Sequence, residues 1–196
     1  MTSTRLLIVR HGDTDWAAQR RHTGRSDVPL NADGEARATA LRGRLPLDDV
    51  AAVWSSPLVR AQRTAALAGL EVDELVDDLL EWDYGAAEGR TTAEIREEQP
   101  GWTVWDSPAP DGETAADVGA RVDRVIARAR ALDGTVVLVA HAHLLRILAA
   151  RWLDLPAATG RHLTLDPGGW GVLGWERETP VIERWNPPAP PGTSHS

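Results

Sequence analysis

Two histidines follow uninterrupted apolar runs, and they are the residues of this chain best suited to chemistry. His11 follows Arg10 at the end of the run 6–9, and His141 directly follows the run 135–140. A neutral imidazole can attack phosphorus, and the guanidinium fork of an arginine matches the oxygens of a phosphate. These residue types predict a site for a phosphoryl group.

The elements that carry the histidines determine whether they meet. An apolar run without a polar break predicts a strand buried in an α/β sheet, and ligands of such sheets bind beyond the carboxyl ends of the strands. If the two strands are neighbours, His11 can act as a nucleophile while His141 donates to a phosphoryl oxygen. Arg10 and Arg60 can converge on the same group, since phosphoryl transfer depends on positioning and on neutralising charge. Glu81 could protonate the leaving oxygen, provided that partial burial raises its pKa.

Strands and helices alternate along the rest of the chain, which predicts a layered α/β fold. Ser56 is the expected N-cap of a helix and Pro57 its first residue, which places Arg60 in a first turn whose free N–H groups could bind an anion. Asn31 and Thr114 are the expected N-caps of two more helices. The further boundaries predicted are a helix end near residue 45, strands at 50–54, 171–176 and 181–185, a helix at 91–98, and a helix from His141 to about residue 154.

The composition is that of a globular protein, and it narrows the classes of function. The chain has 196 residues, which fits one domain over 1–186 and a Pro-, Gly- and Ser-rich tail over 187–196 that is expected to be disordered. It has no cysteine, and therefore no disulfide and no thiolate chemistry. The net charge of −8 argues against sequence-independent binding of nucleic acid. No signal peptide or membrane span is visible, so a cytoplasmic location is expected.

Four short motifs occur in an order and at a spacing that one family shares. They read Leu-Ile-Val-Arg-His-Gly at 7–12, Ser-Ser-Pro-Leu-Val-Arg at 55–60, Glu-Trp-Asp-Tyr-Gly at 81–85 and Val-Ala-His at 139–141. From about residue 5 to residue 185 the chain resembles the histidine phosphatase superfamily, which includes the cofactor-dependent phosphoglycerate mutases. The resemblance implies a phosphoglycerate mutase-like fold, a three-layer α/β/α sandwich around a mostly parallel central sheet.

The same resemblance implies roles for individual residues. It makes His11 the site of a phosphohistidine, completed by Arg10, Arg60 and His141. It makes Glu81 the general acid and then the base for the attacking water. Five further residues match positions that contact substrate: Thr23, Gly24, Ser56, Ala142 (usually glycine in the family) and Arg146, which would bind a second anionic or polar group. No metal and no cofactor is needed, and the expected partner is a small phosphorylated substrate.

Within this family the chain is predicted to hydrolyse rather than to transfer. The mutases carry a longer insertion after the catalytic acid, and the paired arginines expected there are missing between Glu81 and Gly112. Residues 22–30 look similar to a branch that acts on sugar phosphates, sedoheptulose bisphosphatase among them. The expected activity is a metal-independent phosphomonoesterase of a small phosphorylated metabolite, with a sugar phosphate as one candidate. Mutase-type transfer and a non-catalytic phospholigand-binding protein stay open as alternatives.

Two other motifs suggest different chemistry. Asp-Thr-Asp at 13–15 is similar to the nucleophile motif of the haloacid dehalogenase phosphatases, but in that motif the first aspartate directly follows the strand. His141-x-His143 has the spacing of a metal site, although the two side chains would diverge at the start of a helix. His143 is expected at the start of a helix near the rim of the pocket, His22 could reach the substrate and His162 could simply pack, and all three are interpreted as structural rather than catalytic.

Tryptophan is the main large aromatic residue, with nine Trp, one Tyr and no Phe. The loop that contains Trp102 and Trp105 is too apolar to be freely solvated, and it could either cover a pocket or pack as a surface loop. Tryptophan-rich surface segments could also support a homodimer, which the sequence alone does not decide.

Overall fold

The computed structural model describes residues 4–107 and 109–188. Within these residues the strands are β1 (Arg5–Arg10), β2 (Val50–Ser55), β3 (Glu74–Leu75), β4 (Thr135–Ala140), β5 (Trp170–Glu176) and β6 (Thr179–Trp185). The α-helices are α1 (Asp15–Ala18), α2 (Ala32–Thr39), α3 (Val59–Ala68), α4 (Thr92–Glu98), α5 (Ala115–Ala129) and α6 (Ala142–Trp152). Short 3-10 helices lie at Asp77–Leu79, Gly85–Ala87 and Ala157–His162.

The strands form one sheet in the order β3-β2-β4-β1-β5-β6. The pairs β2–β3, β2–β4 and β1–β4 are parallel, whereas β5 pairs antiparallel with both β1 and β6. β1 and β4 are direct neighbours, and Arg10 lies opposite Ala140 in their register. His11 and His141 therefore leave the sheet at the same edge, as the phosphoryl-site hypothesis requires.

Alternate residues of the central strands face two separate cores. Leu6 and Ile8 of β1 pack in a core with α5 and α6, whereas Leu7 and Val9 pack in a core with α3 on the opposite face. This period of two is what a strand with both faces buried requires. The result is a three-layer α/β/α sandwich around a mostly parallel sheet, which confirms the predicted architecture.

The start of α3 differs from the prediction. Ser56 is not its N-cap and Pro57 is not its first residue, because the helix begins at Val59 with Leu58 as the N-cap and without a side-chain capping bond. The hydroxyl of Ser56 bonds to His141 instead. His141, which is distant in the sequence, thus binds the hydroxyl oxygen of Ser56 that the local pattern assigned to helix capping.

Other boundaries lie close to their predicted positions. Asn31 and Thr114 cap α2 and α5 through their side chains. α2 ends at Thr39 rather than near residue 45, and Gly43, four residues further on, has a left-handed backbone that no helix accommodates. Of the tail expected at 187–196, residues 189–196 lie outside the described residues. No helix in the described part of the chain is both long and apolar enough to cross a membrane.

Candidate active site

A cavity of about 190 Å³ lies at the carboxyl ends of β1 and β4. This is the edge at which open α/β sheets bind their ligands. Twelve residues line it: Arg10, His11, Thr14, Ala17, Arg20, Arg21, His22, Thr23, Glu81, Tyr84, Ala142 and His143.

His11 is poised as a nucleophile by one hydrogen bond. Its side chain is only 6% exposed, and Nδ1 lies 2.6 Å from the carbonyl oxygen of Gly12. A carbonyl can only accept, so Nδ1 carries the proton and Nε2 keeps its lone pair. Burial, together with the charges of Arg60 and Arg10, holds the pKa of His11 well below its ordinary value of 6.5. The imidazole is therefore neutral and able to attack over the physiological range.

His141 lies beside His11 but has the opposite tautomer. The two ring centroids are 5.1 Å apart, and His141 is fully buried. Nε of Arg60 donates to its Nδ1 at 3.3 Å, so the ring proton is on Nε2, which lies 2.7 Å from Oγ of Ser56. Burial and the charge of Arg60 lower the pKa of His141 well below 6.5. His141 is therefore a neutral N–H donor beside His11.

Arg60 supports the site from behind rather than lining the cavity. It is fully buried in the first turn of α3, and its two terminal nitrogens donate to the carbonyl groups of Thr23, Gly24 and Ser26 at 2.8–3.2 Å. With the bond to His141, four hydrogen bonds occupy its guanidinium. Arg60 thus fixes the 23–26 segment and lowers the pKa of both histidines, whereas the sequence predicted a direct contact with phosphate.

Arg10 is the arginine whose guanidinium reaches the cavity from the end of β1. Its Nη1 donates to the carbonyl oxygen of Leu165 at 2.5 Å, and its buried Nε has no hydrogen-bond partner among the described residues. An unpaired buried donor costs about 1–3 kcal/mol. An anion bound beside His11 would offset that cost, and this fits a phosphate-binding arginine.

Glu81 caps α6, whose own N-cap residue provides no side-chain capping bond. The carboxyl group is 3% exposed. Oε1 accepts from the backbone N–H groups of Trp82 and Leu144 at 2.9 Å, and Oε2 accepts from that of His143 at 3.1 Å. Oε2 keeps a free position, so it is the oxygen that can carry a proton toward the cavity.

Comparison with known proteins decides the family. The model described as histidine phosphatase superfamily (branch 1) matches residues 6–188, which is most of the chain. The chain belongs to the histidine phosphatase superfamily. The family and the fold predicted from the sequence are thereby confirmed.

Similar proteins match most of the length of this histidine phosphatase. An acid phosphatase from Mycobacterium tuberculosis is 41% identical over 177 residues, which cover 88% of this chain and 87% of that protein. Sedoheptulose 1,7-bisphosphatase from Saccharomyces cerevisiae is 32% identical over 185 residues, with coverages of 77% and 68%. The solved structure of an open reading frame product from M. tuberculosis superimposes with a TM-score of 0.88 at 38% identity, with coverages of 93% and 97%.

The predicted substrate contacts of this histidine phosphatase divide into two groups. Thr23 and Ala142 line the cavity, whereas Gly24, Ser56 and Arg146 do not. The N–H of Gly24 donates to Glu88, and a Cβ at Gly24 would lie 2.4 Å from the carbonyl oxygen of Trp82. The glycine is needed here for close packing.

Arg146 does not line the cavity that was expected to use it. Its Nε and Nη2 donate to the carbonyl groups of Gly160 and Arg161, both at 3.1 Å, and its guanidinium lies 5.0 Å from the ring centroid of Trp105. Those contacts hold the 3-10 turn that follows α6. The charge of Arg146 lowers the pKa of His143, which lines the cavity, but its guanidinium is engaged by these carbonyl groups and does not itself line the cavity.

Several cavity residues were not predicted as functional. The sequence did not single out Thr14, Arg20, Arg21 or Tyr84, whereas His143 lies at the rim as expected and His22 lines the cavity from which it could reach the substrate. The hydroxyl of Tyr84 lies 2.6 Å from Nδ1 of His143, and burial raises the pKa of Tyr84 well above its ordinary value, so the hydroxyl stays protonated. The Arg20-Arg21-His22 run in a polar loop was the signal available in the sequence.

The tryptophan loop lies behind the cavity wall and does not cover the cavity. Trp102 is buried and packs edge-on against His22, while Trp105 contacts the rings of Trp82 and His143. Neither indole lines the cavity. The loop therefore supports the aromatic side of the site from outside.

The rival interpretations gain no support from the geometry. Asp13 does not line the cavity, and its Oδ2 lies 2.8 Å from Nε of Arg37. Within the described residues no three His, Asp or Glu side chains cluster so as to hold a metal ion. A larger cavity of about 410 Å³ lies between α2 and the segments 166–170 and 186–188, but no histidine or glutamate of the described residues lines it. We assign the chemistry to the smaller cavity.

Proposed function

We propose that this chain is a phosphomonoesterase that hydrolyses small phosphorylated metabolites through a phosphohistidine at His11, without a metal ion. The carrying observation is the hydrogen bond from Nδ1 of His11 to Gly12, which leaves Nε2 as an unprotonated nucleophile. Arg10 and Glu81 line the same cavity. The acid phosphatase and the sugar bisphosphatase among its relatives support the same reaction.

In the first step, Nε2 of His11 attacks phosphorus and the bond from phosphorus to the leaving oxygen breaks. Arg10 and the Nε2–H of His141 neutralise the phosphoryl oxygens, with His141 exchanging Ser56 for the ligand. Glu81, protonated at Oε2, gives its proton to the leaving oxygen. The products are an alcohol, a phosphohistidine and a carboxylate.

In the second step, water attacks the phosphohistidine. The Glu81 carboxylate takes a proton from the water as its oxygen bonds to phosphorus, and the bond between Nε2 and phosphorus breaks. Inorganic phosphate leaves, and both Glu81 and His11 return to their starting states. The phosphoryl group is thus transferred first to nitrogen and then to water.

The cavity volume favours a small substrate. About 190 Å³ is the space of about six water molecules at liquid density, enough for a phosphoryl group and a short carbon skeleton. A sugar phosphate would place its phosphoryl group beside His11 and extend its remaining hydroxyl groups toward the mouth. We propose this class because a relative is a sedoheptulose 1,7-bisphosphatase.

The test is hydrolysis of p-nitrophenyl phosphate in excess EDTA by the native chain and by His11→Ala. We expect activity that survives EDTA and is abolished in the variant. Loss of activity in EDTA with recovery on adding Mg²⁺ would contradict metal independence, and full activity of His11→Ala would contradict the nucleophile. A parallel assay for phosphoryl exchange between phosphoglycerate isomers separates hydrolysis from mutase-type transfer.

The broader setting of the enzyme also belongs to this proposal. We expect residues 1–186 to act as one domain on a small phosphorylated partner in the cytoplasm. A homodimer and the absence of nucleic-acid and membrane partners stay predictions, which light scattering and binding assays on the purified chain would test.

A further inference from the structure

Arg20 occupies a backbone position that stereochemistry favours for glycine. The chain leaves α1 through Gln19, and Arg20 then has a left-handed φ of 59°. The N–H of Arg20 bonds to the carbonyl of Ala17 at 3.0 Å, and the N–H of Arg21 bonds to that of Trp16 at 2.9 Å. This pair of bonds is the Schellman pattern, whose left-handed residue is usually glycine because a Cβ is strained there. Strained residues of this kind cluster at functional sites.

The side chain of Arg20 is exposed at the cavity wall without a partner. Within the described residues it makes no hydrogen bond or ion pair, whereas the neighbouring Arg21 donates to the carbonyl of Gly89 at 2.7 Å and to Gln19. The backbone beside it is held in place, since the N–H of His22 bonds to Arg90 and the N–H of Gly89 bonds to His22. A fixed loop thus presents a free guanidinium to the site.

The charge of the cavity favours a ligand with more than one anionic group. Arg10, Arg20 and Arg21 line it, against Glu81 as the one carboxylate among the described lining residues. The proposed mechanism uses Arg10, His11 and His141 for the phosphoryl group. The phosphoryl group therefore does not require the positive charge of Arg20.

We propose that Arg20 binds a second anionic group of the substrate, a carboxylate or a second phosphoryl group, and that the preferred substrates are short phosphomonoesters carrying two anionic groups. This inference rests on the proposed phosphomonoesterase activity. The guanidinium fork recognises either anion through two parallel hydrogen bonds. The backbone strain at Arg20 is then the energetic cost of placing its positive charge at the wall of the cavity.

Three substrates on one three-carbon skeleton test the inference: glycerol 3-phosphate, 3-phosphoglycerate and glycerol 1,3-bisphosphate. We expect the native chain to favour at least one of the doubly anionic compounds over glycerol 3-phosphate by about 10- to 100-fold in kcat/KM, as a charge-assisted hydrogen-bonded pair provides. The compound favoured identifies the second anion. In Arg20→Gly the preference should collapse through a higher KM, with kcat and the reaction of glycerol 3-phosphate little changed.

Arg177→Gly is the matched control. Arg177 is likewise exposed, with a left-handed φ of 56°, but it lies in the turn between β5 and β6 and does not line the cavity. We expect it to leave all three reactions unchanged. Neither variant should lower the midpoint of thermal unfolding, because glycine accepts this backbone without strain.

Two results would overturn the role of Arg20. One is a preference that persists in Arg20→Gly, and the other is an equal loss on all three substrates with a lower unfolding midpoint, which would mark a structural residue. A native chain that hydrolyses p-nitrophenyl phosphate without any preference for a second anion would sink this inference alone. A native chain inactive on every ester would instead sink the proposed function.

Discussion

At the scale of single residues, hydrogen bonds assign different tasks to two histidines that lie side by side. The carbonyl oxygen of Gly12 accepts a hydrogen bond from Nδ1–H of His11, which leaves the lone pair of Nε2 free to attack. Arg60 donates to Nδ1 of His141, so that its Nε2 carries the proton and donates to Ser56. Both rings are neutral, since burial and nearby arginines lower both pKa values. One ring is therefore built as a nucleophile and the other as a donor.

The role of Glu81 as the acid predicts a dependence on the leaving group. Glu81→Gln keeps the shape of the side chain and an oxygen acceptor for α6, but it removes the proton that the leaving oxygen takes. We expect kcat/KM for glycerol 3-phosphate, which reports the step that forms the phosphohistidine, to fall by about 10²–10⁴-fold, the usual contribution of general acid catalysis. For p-nitrophenyl phosphate the loss in kcat/KM should be far smaller, because nitrophenolate leaves without a proton, whereas hydrolysis of the phosphohistidine is slowed equally for both esters. Steady-state kinetics on both esters makes the comparison, and equal losses in kcat/KM would contradict the acid role.

Residue identity was easier to predict from the sequence than side-chain direction. His11, Arg10 and Glu81 could be predicted to meet because strand ends and motif spacing bring them to one edge of the sheet. The directions of Arg60 and Arg146 could not, since both guanidinium groups turn to backbone carbonyls of segments distant in sequence. Arg20 was visible in the sequence only as part of the Arg20-Arg21-His22 run, and its left-handed backbone could not be predicted from the local pattern.

At the scale of elements, Arg60 joins α3 to the loop that forms one wall of the cavity. Its bonds to the carbonyl groups of residues 23, 24 and 26 reach 34 to 37 positions back along the chain. The loop itself has no regular secondary structure at these positions. One buried guanidinium therefore replaces the backbone ladder that a strand would have supplied.

This bracing predicts a large difference between two arginines on α3. Arg60→Lys leaves an ammonium that cannot span the same four acceptors, so buried carbonyl groups lose their donors. We expect the free energy of unfolding to fall by about 3–5 kcal/mol, the cost of breaking a buried charged network. Arg63→Lys is the control on the next turn, where Arg63 makes a half-exposed ion pair with Glu35, and its effect should stay below about 1 kcal/mol. Urea unfolding measures both, and similar small effects would refute the bracing.

The positions of strands and helices followed from the local sequence pattern wherever no residue distant in the sequence competed for a capping side chain. β1 and β4 could be predicted because an unbroken apolar run fits only a strand buried on both faces. Asn31 and Thr114 cap their helices as predicted, and their side-chain oxygens accept from Gly34 and Asp117 of the same helices. Ser56 is the case in which the local pattern failed. Its hydroxyl forms a buried hydrogen bond with His141, which lies 85 positions away in the sequence.

At the scale of the whole molecule, the site makes stability depend on pH. Burial lowers the pKa of His11, His22, His141 and His143. In the unfolded chain these residues return to about 6.5. Below that pH, and down to the lowered pKa of each folded histidine, the unfolded chain binds more protons than the folded one. The stabilisation is therefore complete above pH 6.5 and is lost as the pH falls.

We accordingly expect the free energy of unfolding to decrease between about pH 7 and about pH 5, by at most about 1.4 kcal/mol per pH unit for each histidine. Urea titrations at three pH values measure the slope. His22→Gln, which removes one of the four titrating rings, should give a shallower slope than the native chain. A native stability that does not change across this range would show that the histidines are not held neutral by the fold.

The most direct test of the account is to trap the covalent intermediate. The native chain is mixed with excess p-nitrophenyl phosphate, quenched in alkali within one turnover because the nitrogen–phosphorus bond is labile to acid, and digested for mass spectrometry. The account predicts one added phosphoryl group on the peptide that contains His11, and none on that peptide in His11→Ala. Turnover by the native chain with an unmodified His11, or with the phosphoryl group on another residue such as Asp13, would contradict it.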